Sequence, residues 1–184
     1  MKQKNMLDIK INIVNKNEFK TYQNEIEKIF EENFFKNGGM LYSDDFMINS
    51  DFMVVAKMQN KVVAYMAISK LTENELDRKY EIYQEEPIMQ HSIVIKHLVV
   101  SQEYRRQKIA TRLFQYIKEY ANKNEIDYLY LWTTPENLIA INFYEKQGFY
   151  KMGDYKPTDG EFQGLNGFHS IMMVYKRKES EEQL

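Results

Sequence analysis

Leu7, Ile9, Ile11 and Ile13 alternate with polar residues, the period of a half-buried strand. Phe19, Tyr22, Ile26, Ile29 and Phe30 follow at helical spacing, and Asn17 stands where an N-cap is expected. Gly38-Gly39 interrupts a less regular stretch that runs to Phe46. Residues 52–58 and 61–69 are β-rich runs flanking Gln59-Asn60, which predicts a hairpin. Residues 71–87 are polar and charged and predict a loop, and 88–100 a strand rich in branched residues. Ile109, Leu113, Phe114, Ile117 and Tyr120 line one face of a helix. An apolar strand at 128–132 precedes a second helix carrying Leu138, Ile141, Phe143 and Tyr144, which Gly148 is placed to terminate. Residues 149–152 and 171–175 predict the last two strands, separated by a polar, glycine-containing loop at 153–168.

Strands and helices in this order predict an α+β fold, an α/β/α sandwich with helices on both faces of one sheet. There is no internal repeat and there are only three prolines, so the expectation is one domain over residues 1–176 with a charged tail at 177–184. The 184 residues are 43% hydrophobic and 28% charged, which excludes a wholly disordered chain. Twenty-seven acidic residues nearly balance twenty-five basic ones, so net charge gives no reason to expect nucleic acid as a partner. The absence of cysteine excludes a disulfide framework, a thiolate zinc site and a cysteine nucleophile. No apolar stretch has the length of a membrane span, about 18 residues, and the N-terminus has no signal-peptide core. Cytoplasmic location and no membrane partner are therefore expected.

The segment from Val100 to Ala110 joins a buried strand directly to a helix. The first amides of a helix lack internal partners and the dipole adds positive potential, so this turn suits an anion. Arg105, Arg106, Lys108 and Arg112 add charge around it. The alternative on physics alone is an ordinary solvated helix start. Binding of nucleic acid through this cluster is weaker, since no aromatic stacking motif accompanies it.

Arg105 and Ala110 occupy the first and last positions of the Arg/Gln-x-x-Gly-x-Gly/Ala signature, with Leu98 and Val100 before it and Leu113 after it. The chain here resembles the GCN5-related N-acetyltransferase (GNAT) family. A second stretch, Asn137-Leu138-Ile139-Ala140-Ile141-Asn142-Phe143-Tyr144-Glu145-Lys146-Gln147-Gly148-Phe149, resembles the second signature of that family. The resemblance covers about residues 52 to 176 and departs at Lys108, where the family has glycine. Lysine suits that position if the backbone there is helical; glycine would give unusual dihedrals and close approach.

The resemblance implies an acetyl-CoA-dependent acyltransferase that acetylates a primary amine by direct attack, with no metal and with a small-molecule or peptide acceptor. It implies a mostly antiparallel mixed sheet with a splayed strand before the pyrophosphate loop, and it is compatible with a homodimer. Carried over, the loop from Arg105 through Arg106, Gln107, Lys108, Ile109, Ala110 and Thr111 holds the CoA pyrophosphate, and Val100 leads into it. A backbone N–H of Leu98 or Val99 meets the acetyl oxygen. Asn137 either holds the cofactor arm or caps its helix. Tyr144 is placed to donate a hydrogen bond or proton to the departing thiolate, the alternative being a packing aromatic beside Phe143. A non-catalytic acyl-CoA-binding or regulatory module of the same fold is the competing reading.

The general base has no signature. Ser92-Ile93-Val94-Ile95-Lys96-His97 contains no carboxylate, and alternation puts Lys96 on the substrate face and His97 away from it. His97 is expected to be structural, as is His91, and His169 is a weak candidate. Lys96 would repel a polyamine and suit an acceptor with a carboxylate or phosphate. Asp154, Tyr155, Asp159, Glu161 and Phe162 are placed in a loop framing the acceptor, or in an ordinary polar loop.

Overall fold

The computed structural model describes residues 8–34, 50–71, 81–82, 91–155 and 170–177. These residues form two compact units, one of residues up to Ser69 with Lys96–Ile117, the other of Lys70–Ile95 with residues from Lys118 onward.

In the first unit, strand β1 (Ile9–Asn15) pairs antiparallel with β2 (Phe52–Met58), and β2 with β3 (Lys61–Lys70). Gln59 and Asn60 take φ of 49° and 64°, the left-handed pair that a tight two-residue hairpin requires. β3 neighbours β5 (Ser92–Val100), whose residues from Lys96 onward belong to this unit. Helix α1 (Phe19–Phe34) buries Phe19, Ile26, Ile29 and Phe30, the stripe that its spacing predicts. They pack with Val14, Met53, Val55, Val62, Tyr65, Ala67 and Val99. Each Val, Ile, Phe or Met among them contributes about 1.5–3 kcal/mol on full burial. The start of α1 corrects the Asn17 expectation. Asn17 lies inside a short 3₁₀ turn, Lys16–Glu18, and the Glu18 carboxylate accepts from the Asn15 backbone N–H at 3.0 Å. The reciprocal cap therefore begins at Asn15, two residues earlier, because Glu18 stands three residues after it.

β5 leads through a second 3₁₀ turn, Gln102–Tyr104, into α2 (Ile109–Lys123). α2 buries Ile109, Leu113, Phe114 and Ile117 in this unit.

The second unit holds the first half of β5 and the last turns of α2, with β6 (Tyr128–Thr133), α3 (Leu138–Lys146), β7 (Tyr150–Tyr155) and β8 (Ser170–Lys176). Strand order is β5-β6-β8-β7-β4, where β4 is the two-residue strand Glu81–Ile82, paired with β7 inside the stretch expected to be loop. β5 and β6 are parallel; β6–β8, β8–β7 and β7–β4 are antiparallel. The parallel ladder runs from Ser92–Tyr128 to Ile95–Leu131, whereas β5 continues to Val100, which is the splay expected before the loop. Val94, Tyr128, Tyr130, Met152, Met172 and Val174 form the core of this unit with Leu71. Among the described residues no helix is long and apolar enough to cross a membrane.

Candidate active site

The turn between β5 and α2 is built against the end of α1. Gln102 Nε2 donates to the Glu32 carbonyl at 2.9 Å, and Ser101 Oγ lies 3.4 Å from the Glu32 carboxylate. The Arg105 guanidinium donates through Nη2 to Asn33 Oδ1 and through Nε to the Val100 carbonyl at 3.4 Å. Asn33 is itself buried, and its amide donates to the Ile29 carbonyl at 2.6 Å. Glu32 and Asn33 thus staple the turn from about seventy positions away, and no local pattern in the sequence marks them as loop partners. Arg105 takes an extended backbone (φ −66°, ψ 161°); its side chain is spent on this staple and its backbone N–H donates to the Gln102 carbonyl at 3.4 Å.

The next residues do not follow a right-handed helix. Arg106 and Lys108 both have φ of 61°. Lys108 is nevertheless the N-cap of α2, because its carbonyl accepts from Arg112 N–H at 3.1 Å. A helical backbone, the condition under which lysine fits here without cost, is therefore not what the chain adopts: lysine occupies a left-handed position that glycine takes more readily. Arg105, Arg106, Gln107 and Lys108 are exposed, Ile109 is buried as the first residue of α2, and Ala110 and Thr111 are half-buried in its first turn. The amides of that turn have no partner within the helix. Arg112 corrects the expected four-cation cluster, since its Nη2 donates to the Ile9 carbonyl at 2.8 Å and so is turned toward β1.

Before the turn, Leu98 and Val100 are half-buried and Val99 is buried. His97 stands edge-on to Phe30 with centroids 5.9 Å apart, and Val99 joins the same cluster. The odd positions of this strand segment therefore face α1, and Lys96 shares the other face with Leu98 and Val100. Burial, assisted by the Lys96 charge, lowers the His97 pKa to about 4, so the ring is neutral at pH 7. His91 occupies a left-handed turn, φ 59°, and its carbonyl accepts from Asp127 N–H.

In the second unit, Asn137 caps α3: its Oδ1 accepts from Ala140 N–H at 3.2 Å. The other end closes by a Schellman motif. Gly148, at φ 84°, donates to the Glu145 carbonyl at 2.8 Å, and Phe149 N–H donates to the Tyr144 carbonyl at 3.1 Å. The Tyr144 ring lies between Phe143, 5.7 Å away, and Phe149, 6.2 Å away. The Gly-Phe pair thus does two things: it stops the helix, and it supplies an aromatic that flanks Tyr144. Burial pushes the Tyr144 phenol up to about 12, so it stays protonated throughout the neutral range.

Asp154 and Tyr155 lie in β7 and not in the loop expected to frame the acceptor. Asp154 is buried and paired with Lys151 at 3.2 Å, so its charge is compensated within the strand. Asp159, Glu161, Phe162 and His169 lie outside the described residues.

A strand, a turn and a helix, followed by an Asn-capped helix whose tyrosine precedes Gly-Phe, carry the two signatures noted in the sequence, the first with Lys108 in place of its glycine. The profile of the Acetyltransferase (GNAT) family matches residues 19–149. This chain belongs to the GNAT family of acetyltransferases. Its mixed, mostly antiparallel sheet with flanking helices is the fold of that family. The ribosomal-protein-S18-alanine N-acetyltransferase of Escherichia coli superposes with a TM-score of 0.66 at 17% identity, over 96% of this chain and 98% of that one. Naa50 of Arabidopsis thaliana, solved with the bisubstrate analogue CoA-Ac-MVNAL, gives 0.65 at 16% identity, over 92% and 99%. A putative streptothricin acetyltransferase of Bacillus anthracis, in complex with acetyl coenzyme A, gives 0.52 at 19% identity, over 76% and 70%. No curated protein sequence matches the chain.

Proposed function

We propose that this GNAT protein, as one domain over residues 1–176, is an N-acetyltransferase that uses acetyl-CoA to acetylate a primary amine on a small molecule or peptide. The observation that carries the reading is the turn between β5 and α2. There a stapled loop with two left-handed residues delivers the open amides of a helix start, in a chain that matches the family across 19–149. That donor set fits a pyrophosphate: neutral N–H groups from Arg106 to Thr111 with the Arg106 and Lys108 charges beside them.

Bound acetyl-CoA supplies an activated thioester. In this reading the backbone N–H of Leu98 or Val99 steadies the acetyl oxygen, which gains charge during transfer. Tyr144 gives its proton to the departing thiolate, and its raised pKa keeps that proton in place until it is needed. Asn137 acts through its cap, by setting where α3 begins. Lys96, on the face that Leu98 shares, supports an acceptor bearing an anionic group over a polyamine.

Calorimetry with acetyl-CoA, followed by thiol release with a panel of primary amines, tests this. Micromolar binding and amine-dependent release are expected. In the Tyr144→Phe variant kcat should fall at least about tenfold with acetyl-CoA affinity kept. Two observations favour the second reading, a non-catalytic acyl-CoA-binding module: lysine at the strained position 108, and no carboxylate on residues 92–97. Binding without release to any amine would establish it and refute the first.

A further inference from the structure

Lys118 is a half-buried cation of the second unit that the acetyl-transfer reading does not use. It lies in the C-terminal part of α2. A lysine at a helix surface ordinarily extends its ammonium to water. This one turns inward. Its Nζ sits 4.3 Å from the centroid of the Tyr175 ring and donates to the carbonyl of Gln147, the C-cap residue of α3. The inward position costs the ammonium some hydration, and that burial lowers its pKa. The cation–π contact and a charge-assisted hydrogen bond at the negative end of a helix offset that cost.

Two routes lead from that ammonium to Tyr144. Along the backbone, the Gln147 carbonyl accepts from Lys118, while Gln147 N–H donates to the Tyr144 carbonyl at 2.9 Å and lies 3.1 Å from that of Phe143. Along the side chains, Lys118 covers Tyr175, Tyr175 lies 5.8 Å from Phe149, and Phe149 lies 6.2 Å from Tyr144. Gly148 sits beneath the same Tyr175 ring, where a Cβ would come within 3.6 Å of it. The turn that seats Tyr144 is thus braced on two sides by a single side chain from another helix.

We infer that Lys118 is a positioning residue, which fixes the C-terminal turn of α3 and through it the phenol of Tyr144. The inference rests on the reading that Tyr144 protonates the leaving thiolate. It deepens that reading by naming what holds the phenol in line. A misplacement of about 1 Å at a reacting group is enough to cost up to roughly a hundredfold in rate, so a modest shift of this turn would be visible in turnover.

The test is a double-mutant cycle on the full chain, read as thiol release from acetyl-CoA with whichever primary amine gives the fastest turnover. Lys118→Met keeps the length and apolar stem and removes the charge; Lys118→Arg restores a cation. Lys118→Gln serves as the second neutral variant should the methionine form not fold by thermal unfolding. The expected result is a kcat lowered about tenfold in Lys118→Met, with the KM for acetyl-CoA moved less than about twofold and at least half of the loss recovered in Lys118→Arg. In a Tyr144→Phe background the same replacement should change kcat by less than about twofold, because the group it positions is already gone. Where Tyr144→Phe itself lowers kcat, equal losses in both backgrounds, or no recovery with arginine, would overturn the inference.

A second measurement separates this from failure of the Tyr144 reading. 3-Fluorotyrosine is placed at position 144 and its ¹⁹F resonance is recorded without acetyl-CoA. A resonance that moves in Lys118→Met and returns in Lys118→Arg sustains the brace even if Tyr144→Phe alone leaves turnover unchanged. A resonance that stays in place overturns it.

Discussion

Replacing Lys108 with glycine removes a side chain from a backbone position that disfavours it. Lys108 has φ of 61°, where the Cβ of an L-residue crowds the following carbonyl at a cost of about 1–2 kcal/mol. Glycine escapes that cost but loses more backbone freedom on folding, about 0.5–1 kcal/mol. The difference is a net stabilisation of roughly 0–1.5 kcal/mol, centred on about 0.5–1 kcal/mol. For a chain of 184 residues a change of 1 kcal/mol moves Tm by roughly 2–4 °C, so Lys108→Gly should melt about 1–4 °C higher. No side-chain cap is lost, because lysine has no acceptor to offer the helix start and glycine is an acceptable N-cap. Lys108→Ala is the control: it loses the ammonium but keeps the Cβ, and its Tm should stay near that of the native chain. Thermal unfolding without ligand, by calorimetry, gives the comparison. A Lys108→Gly protein that melts at or below the Tm of Lys108→Ala would refute the strain argument. Binding adds a second axis. Lys108→Gly should keep or improve affinity for CoA, whereas equal losses of affinity in the glycine and alanine variants would show that the ammonium itself holds a phosphate.

Two further outcomes follow from the geometry. Gly148→Ala should cost about 1 kcal/mol and lower Tm by roughly 2–4 °C, since alanine at φ 84° is strained although its methyl would meet only ordinary contact with Tyr175; an unchanged melting curve would contradict the Schellman closure. His97, with its pKa lowered from 6.5 to about 4, binds fewer protons folded than unfolded, so stability rises with pH across that window and is lost as pH falls through it, by at most about 3 kcal/mol. Urea unfolding at several pH values should show a flatter slope between those limits in His97→Gln, and an unaltered slope would remove His97 as its source.

Much of the fold could be read from local pattern, because backbone sterics and side-chain periodicity act over a few residues. The Gln59-Asn60 hairpin, the buried stripes of α1 and α2, the apolar run of β6 and the glycine stop after α3 follow from composition at fixed spacing. Cap and strand assignments failed where two local solutions competed. Asn15 and Asn17 both suit an N-cap, and the position of Glu18 decides between them. Glu81–Ile82 becomes a strand only because β7 offers it an edge. Likewise Asp154 has the composition of a loop residue, yet pairing with β8 and Lys151 places it in a sheet.

The candidate site divides in the same way. The motif residues, with Tyr144 before Gly-Phe and Arg105 ahead of a helix, stand in the sequence as spacing. What holds them does not. Arg105 is committed to Asn33, Gln102 to Glu32 and Lys118 to Gln147, partners 72, 70 and 29 positions apart. Nothing in the spacing of the chain specifies such pairs, since they form only when distant elements are brought within hydrogen-bond reach. The left-handed turn at Lys108 has the same origin: lysine alone predicts an ordinary helix start, and the stapled loop ahead of it fixes the backbone that it must accept.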